Sequence, residues 1–168
     1  MLPPPLEVEE LYAAAAAKPP LSEDPKHAAV FGNVYDLCVR NGQVLVAASR
    51  FGGRLRSIAY GHFWSWLEQD YDWAHELRST LGPEAQAIES SFALNLLARD
   101  PHLKSSGLGR ETLETWLAGI GGYSCWLQTS DMDSPARRLY ESLGFSALGH
   151  GPQAPNGHPG LVLFRPPT

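Results

Sequence analysis

The sequence predicts an α/β fold from three observations. An apolar run, Phe92-Ala93-Leu94-Asn95-Leu96-Leu97-Ala98, passes through a glycine-bearing turn into Thr112-Leu113-Glu114-Thr115-Trp116-Leu117, where apolar residues recur at helical spacing. A second strand-like run, Trp126-Leu127-Gln128-Thr129, leads to a helix whose Ala136, Leu139, Tyr140 and Leu143 share one face, and Gly144 ends it. Ahead of both, Gln43 to Ser49 and Leu55 to Trp66 read as strands joined by the turn Phe51-Gly52-Gly53-Arg54, an antiparallel hairpin.

The remaining elements follow in order. Residues 1 to 25 hold six prolines around a short Glu7-to-Ala17 segment with helical potential, and read as an irregular arm. Lys26 to Arg40 places Ala29, Val30, Val34, Leu37 and Cys38 at helical spacing, and Asn41-Gly42 turns the chain. Between the hairpin and the apolar run lies an excursion, Leu67 to about Glu89, with helical stretches on either side of Gly82-Pro83. A connection this long is often functional. Its acidic and aromatic mixture either lines a substrate mouth or forms a solvated helix packed by Tyr71, Trp73 and Leu77. Ser146-Ala147-Leu148 and Leu161 to Phe164 complete the strands around a Gly/Pro/His loop.

Length and composition narrow the function classes. The 168 residues fit one domain, and 43% hydrophobic with 18% charged residues is ordinary for a globular chain. A net charge of -5 argues against a nucleic-acid partner, since phosphate-backbone contact needs clustered Lys and Arg. Cys38 and Cys125, with no CxxC pair, suggest neither a metal site nor a disulfide framework, and both read as small apolar fillers. No stretch reaches the ~20 apolar residues of a membrane span and no signal peptide is apparent, so the expectation is a soluble, cytoplasmic protein with no membrane partner.

Chemistry concentrates at Asp100-Pro101-His102-Leu103-Lys104-Ser105-Ser106-Gly107-Leu108-Gly109-Arg110. A strand followed by a glycine turn and a helix N-terminus presents backbone amides and the positive end of a dipole, a corner suited to phosphate. Neither the P-loop pattern nor the dinucleotide glycine fingerprint is present. Lys104-x-x-Gly107-x-Gly109 instead resembles the Arg/Gln-x-x-Gly-x-Gly/Ala signature of the GCN5-related N-acetyltransferases (GNAT), with Lys104 in place of Arg or Gln. Asp133-x-x-Ala136-x-x-x-Tyr140 followed by Leu143-Gly144-Phe145 resembles the same family's later Asn-x-x-Ala-x-x-x-Tyr motif, with Asp133 in place of Asn. The two motifs stand in the family's order.

The resemblance implies a mixed, curved sheet flanked by helices, with residues 26 to 168 as a single acetyltransferase domain. It implies transfer of an acetyl group from acetyl-CoA, a co-substrate, to a primary amine within a ternary complex, without a metal. The pyrophosphate is expected on Lys104, Ser105, Ser106, Gly107, Leu108, Gly109 and Arg110. The backbone of Leu97, Ala98 and Arg99 is expected along the pantetheine arm, with the Arg99 side chain in solvent, and Asp133 is expected near the same arm or as a helix cap. Tyr140 is expected to protonate the departing sulfur, a fitting task for a hydroxyl with a pKa of about 10. Glu89 is the expected general base, with His62 as the other candidate. The acidic residues Asp70, Asp72 and Glu76 favour a small cationic amine as acceptor. A protein N-terminus or lysine as acceptor, and a non-catalytic acyl-CoA-binding module, are the alternatives. Most family members begin with a strand, and none is recognisable in the first 25 residues; the explanations are a truncated or rearranged edge, a strand whose pattern is unreadable, or one supplied by a partner chain, and with it a homodimer.

Overall fold

The computed structural model describes residues 1–103 and 107–168. The expectations placed on Lys104, Ser105 and Ser106 therefore lie outside the described residues. In chain order the elements are α1 (Pro5–Ala16), α2 (Lys26–Arg40), β1 (Leu45–Phe51), β2 (Arg54–Trp64), α3 (Asp72–Leu81) between two 3-10 turns (Trp66–Glu68 and Gly82–Ile88), β3 (Ser91–Arg99), α4 (Leu108–Gly119), β4 (Cys125–Ser130), α5 (Pro135–Ser142), β5 (Ser146–Gly151) and β6 (Gly160–Arg165). Among the described residues the strands form one open, mixed sheet in the order β1-β2-β3-β4-β6-β5.

The hairpin is antiparallel, as expected. Ala47 pairs with Ala59, and a register shift falls between Ser49 and Arg50 next to a turn whose Gly52 and Gly53 both take positive φ. β3 and β4 are parallel, pairing Phe92 with Cys125 and Ala93 with Trp126, while β4 and β5 each run antiparallel to β6. Among the described residues the parallel register covers Phe92 and Ala93, although β3 continues to Arg99.

Backbone contacts divide the chain into two compact units: Met1–His62 with Leu94–Gly121, and Phe63–Ala93 with Gly122–Thr168. In the first, Val8, Leu11, Tyr12 and Ala16 of α1 and Ala28 and Tyr35 of α2 pack with Ile58, Tyr60, Leu96 and Ala98. The opening residues are thus more ordered than an irregular arm. Pro5 sits at the first position of α1, where its missing N–H costs no hydrogen bond, so the proline-rich start is compatible with a helix. Tyr35 fixes the approach to this helix by donating its hydroxyl to the Pro3 carbonyl at 2.8 Å. No strand precedes α1 among the described residues. On α4, Trp116 donates Nε1–H to the Leu45 carbonyl at 3.0 Å, and the buried hydroxyls of Ser57 and Thr112 bond to each other.

The second unit packs Ala74, Leu77 and Leu81 of α3, with Ala85 and Ile88, against Trp64, Trp66, Ala93, Trp126 and Val162. Trp64 meets Trp66 and Trp126 edge-on, with ring centroids 5.1 and 4.8 Å apart, geometry that aromatic quadrupoles favour. The excursion after β2 therefore packs one face on this core. Leu67, Tyr71 and Trp73 stay exposed, so of the residues expected to pack the helix only Leu77 does, and the helix begins at Asp72, five residues later than its polar sequence suggests.

Candidate functional site

The strand-to-helix turn is shaped from both sides. On the strand side the Asp100 amide donates to the Arg56 carbonyl at 2.7 Å, and the Arg56 guanidinium returns an ion pair to Asp100 Oδ2. Asp100 Oδ1 accepts from the His102 amide at 2.9 Å, the local bond by which aspartate initiates a turn. That amide bond, more than the Arg56 guanidinium, holds the Asp100 carboxyl below the usual carboxylate range. On the helix side Gly107 is the residue before α4 and lies at φ 68°, ψ 10°, the left-handed region. Its carbonyl accepts from the Glu111 amide at 3.0 Å, so the left-handed residue is built into the start of the helix.

The two motif glycines differ in what they require. Gly107 needs its missing Cβ because of its backbone conformation, whereas a Cβ on Gly109 would make ordinary contact, 3.6 Å from Arg99 Cδ. Leu108, Gly109 and Arg110 form the first turn of α4 at the positive end of its dipole. Arg110 pairs with Glu114 at 3.4 Å on the exposed side of that helix. Of the strand residues expected along the pantetheine arm, Leu97 is half-buried, Ala98 is buried and Arg99 is exposed as expected, donating Nη1–H to the Leu103 carbonyl at 2.9 Å.

Tyr140 lies in the second turn of α5, which ends as expected before Gly144, at φ 95°. Its side chain is 7% exposed and meets Phe145 edge-on at 5.9 Å. Burial, and secondarily the neighbouring Cys125 thiol, push its hydroxyl well above the ordinary tyrosine value, so the proton stays on oxygen. The α5 cap is Ser134, whose Oγ accepts from the Arg137 amide at 3.0 Å. Asp133, the residue aligned with the family's asparagine, instead pairs with Arg138 at 2.6 Å and is exposed. Arg137 joins Asp131 and Glu141, and Asp131 also receives His150, an exposed network that braces the start of α5.

Glu89, half-buried where the second 3-10 turn ends, accepts from the Trp66 amide through Oε2 at 2.9 Å, so one of its oxygens holds the loop after β2. His62 is half-buried near the end of β2, between the buried Tyr60 and Trp64. Sequence reasoning missed the Arg56–Asp100 pair. The available signal was Asp100-Pro101 itself, since an aspartate before proline favours a turn that its side chain can cap. Among the described residues no group of His, Cys, Asp and Glu is arranged to hold a metal ion.

Comparison with known proteins places this geometry. No family model matches the chain, and no curated protein matches it in sequence. Solved structures do. A protein from Desulfovibrio desulfuricans assigned to the GNAT acetyltransferase family aligns at a TM-score of 0.65 and 20% identity, covering 95% of this chain and 90% of that one. The fold is the GNAT fold. The ribosomal-protein-S18-alanine N-acetyltransferase of Escherichia coli aligns at 0.63 and 18% identity, covering 98% and 88%. The PaiA N-acetyltransferase of Thermoplasma acidophilum, solved with coenzyme A, aligns at 0.59 and 10% identity, covering 96% and 92%. In this fold Gly107 immediately precedes α4 and Gly109 lies in its first turn, while Ala136 and Tyr140 lie on α5.

Proposed function

We propose that the protein is an acetyl-CoA-dependent N-acetyltransferase acting by direct attack of a primary amine on the bound thioester. The observation that carries this reading is Gly107, a left-handed residue joining a buried strand to a helix N-terminus in a chain with the GNAT fold. That corner suits a pyrophosphate: backbone amides and a helix dipole meet, and the glycine lets the chain approach closely. Leu108, Gly109 and Arg110 would hold the phosphates together with Lys104, Ser105 and Ser106, and the backbone of Leu97, Ala98 and Arg99 would pair with the pantetheine arm. Asp133, occupied with Arg138, would contribute less to that arm than the family's asparagine does.

The proton count defines the roles. Forming the N–C bond removes one proton from the attacking nitrogen, and breaking the C–S bond leaves a thiolate that needs one. With its hydroxyl pushed above the ordinary value, Tyr140 cannot donate outright to a thiolate whose conjugate thiol has a pKa of about 8.5 without an uphill step. It would act by hydrogen-bonding the sulfur as charge develops, and by passing on the proton released from the amine. Glu89, with Oε2 committed to the Trp66 amide, would offer Oε1 as the base. The acceptor we favour is a small cationic amine, in a soluble cytoplasmic protein.

The test is calorimetric titration with acetyl-CoA, followed by thiol release across a panel of primary amines. Tyr140→Phe, an isosteric change, is expected to lower kcat by roughly 10² or more with acetyl-CoA affinity little changed. Tight acetyl-CoA binding with no thiol release from any amine would leave a non-catalytic acyl-CoA-binding module as the function.

A further inference from the structure

Asn95 is the polar interruption in an otherwise apolar stretch of β3, Ala93-Leu94-Asn95-Leu96-Leu97-Ala98. Its Oδ1 is fully buried and accepts from no donor among the described residues. The residue as a whole is half-buried, and its amide nitrogen is not shut off with the oxygen. The side chain therefore stands at a boundary, part of it inside the protein and part within reach of a ligand.

Alternation along the strand gives the direction in which it points. Leu96 and Ala98 pack into the cluster of Tyr12 and Tyr60, so Asn95, Leu97 and Arg99 turn to the opposite face. That face is the one on which α4 starts, because a Cβ on Gly109 would lie 3.6 Å from Arg99 Cδ. Asn95 is four residues from Arg99, about 13 Å along the strand. It also lies beyond Ala93, the last residue of β3 with a parallel partner among the described residues.

An orphaned buried oxygen carries its full desolvation cost, and a leucine of nearly the same shape would remove that cost. A polar group kept in spite of it calls for a partner that the chain does not supply. The group is uncharged, with N–H on one side and C=O on the other, and its complement is a second amide. A charged ligand has less to meet: Arg99 is the only charged residue of β3, and its Nη1–H is given to the Leu103 carbonyl.

We propose that the Asn95 side chain binds a secondary amide of the pantetheine arm and so fixes how far along β3 the thioester sits. This inference rests on the acetyl-CoA reading, in which the phosphates lie at the start of α4. From there the arm runs back along β3 as an uncharged chain, and each of its two secondary amides carries an N–H and a C=O. Leu97, Ala98 and Arg99 offer that arm their backbone. Asn95 adds a side-chain contact, farther from the phosphates and nearer the sulfur.

The natural chain and Asn95→Leu are to be titrated calorimetrically with CoA and with 3′-phosphoadenosine 5′-diphosphate, which has the same phosphates and no arm. Loss of one or two hydrogen bonds predicts a Kd for CoA raised about 5- to 30-fold, with Kd for the nucleotide unchanged. Because the orphaned oxygen is removed, Tm of Asn95→Leu without ligand should equal or exceed that of the natural chain. An unchanged Kd for CoA overturns the proposal. So does an equal rise for both ligands, which would place the damage at the phosphate turn. A lower Tm, or a chain that does not fold, also overturns it, because Asn95 would then be holding the fold. Asn95→Ser, whose side chain is too short to reach the arm, should show the same split between the two ligands, and a Kd for CoA equal to that of the natural chain counts against the proposal. A natural chain that binds neither ligand overturns the acetyl-CoA reading together with this one, whereas CoA bound equally well by all three proteins overturns this one alone.

Discussion

Replacing Gly107 separates backbone conformation from side-chain bulk at the proposed pyrophosphate turn. Its φ of 68° lies where a residue with a Cβ pays about 1–2 kcal/mol, and a Cβ built there meets nothing within 4 Å among the described residues. Conformational strain is then the whole cost of Gly107→Ala. If the folded turn keeps its shape, that strain lowers Tm by roughly 2–8 °C in a chain of this size. If the turn relaxes when empty, the same strain returns on binding, and Kd for CoA rises about 5- to 30-fold. Gly107→Asn provides the control, because asparagine visits the left-handed region more readily than alanine does. Thermal unfolding and calorimetric titration with CoA on the three proteins give the result. Asparagine should fall between glycine and alanine in both measurements. Alanine and asparagine behaving alike, or alanine matching glycine in both, would refute the reasoning that this residue is a glycine for its φ.

Two further outcomes follow from packing and charge. Leu77, 0% exposed in α3, should cost about 2–5 kcal/mol as Leu77→Ala in urea unfolding, whereas Leu67→Ala, at a side chain 93% exposed, should change stability by less than about 0.5 kcal/mol. A near-neutral Leu77→Ala would mean that the excursion after β2 is not a core element. Asp100, whose carboxyl is lowered by the His102 amide and by Arg56, stabilises the fold fully above the unfolded value of about 3.9. That contribution is lost as the pH falls through about 4 toward the lower folded value, so Asp100→Asn should flatten the acid side of the stability profile. Asp131, lowered by His150 and Arg137, will keep part of the slope, and an unaltered acid limb in Asp100→Asn would count against the Arg56–Asp100 bracing.

Local signals in the sequence were reliable where the physics is local. The periodicity of α2 and its Asn41-Gly42 stop matched the helix Lys26–Arg40, and the glycine turn at 52–53 matched the hairpin. α4 begins at Leu108, ahead of Thr112 where its apolar period becomes visible, because Gly109, Arg110 and Glu111 carry no hydrophobic pattern. The cap of α5 was read one residue early: Asp133 and Ser134 are both able to cap, and only the direction of the chain into the helix chooses Ser134. The order in residues 5–16 was hidden for a different reason. Prolines look like breakers until one knows that Pro5 occupies the first helical position and that β2 and β3 supply the apolar partners for Val8 and Tyr12. Likewise, the depth of Tyr140 depends on neighbours distant in the chain, which no window of sequence contains.

The interleaving of the two units bears on how the chain is made. The first unit closes its core only with Leu96 and Ala98, and carries α4 as well, so it needs the chain as far as Gly121 although its opening segment ends at His62. During synthesis at about 5–20 residues per second, α1, α2 and the first hairpin would wait roughly 3–12 s before their remaining partners emerge. Over that interval Val8, Tyr12, Ile58 and Tyr60 lack the cover of Leu96 and Ala98, so a pause in translation between His62 and Gly121 would lengthen the time in which the nascent chain can be captured by a chaperone or aggregate.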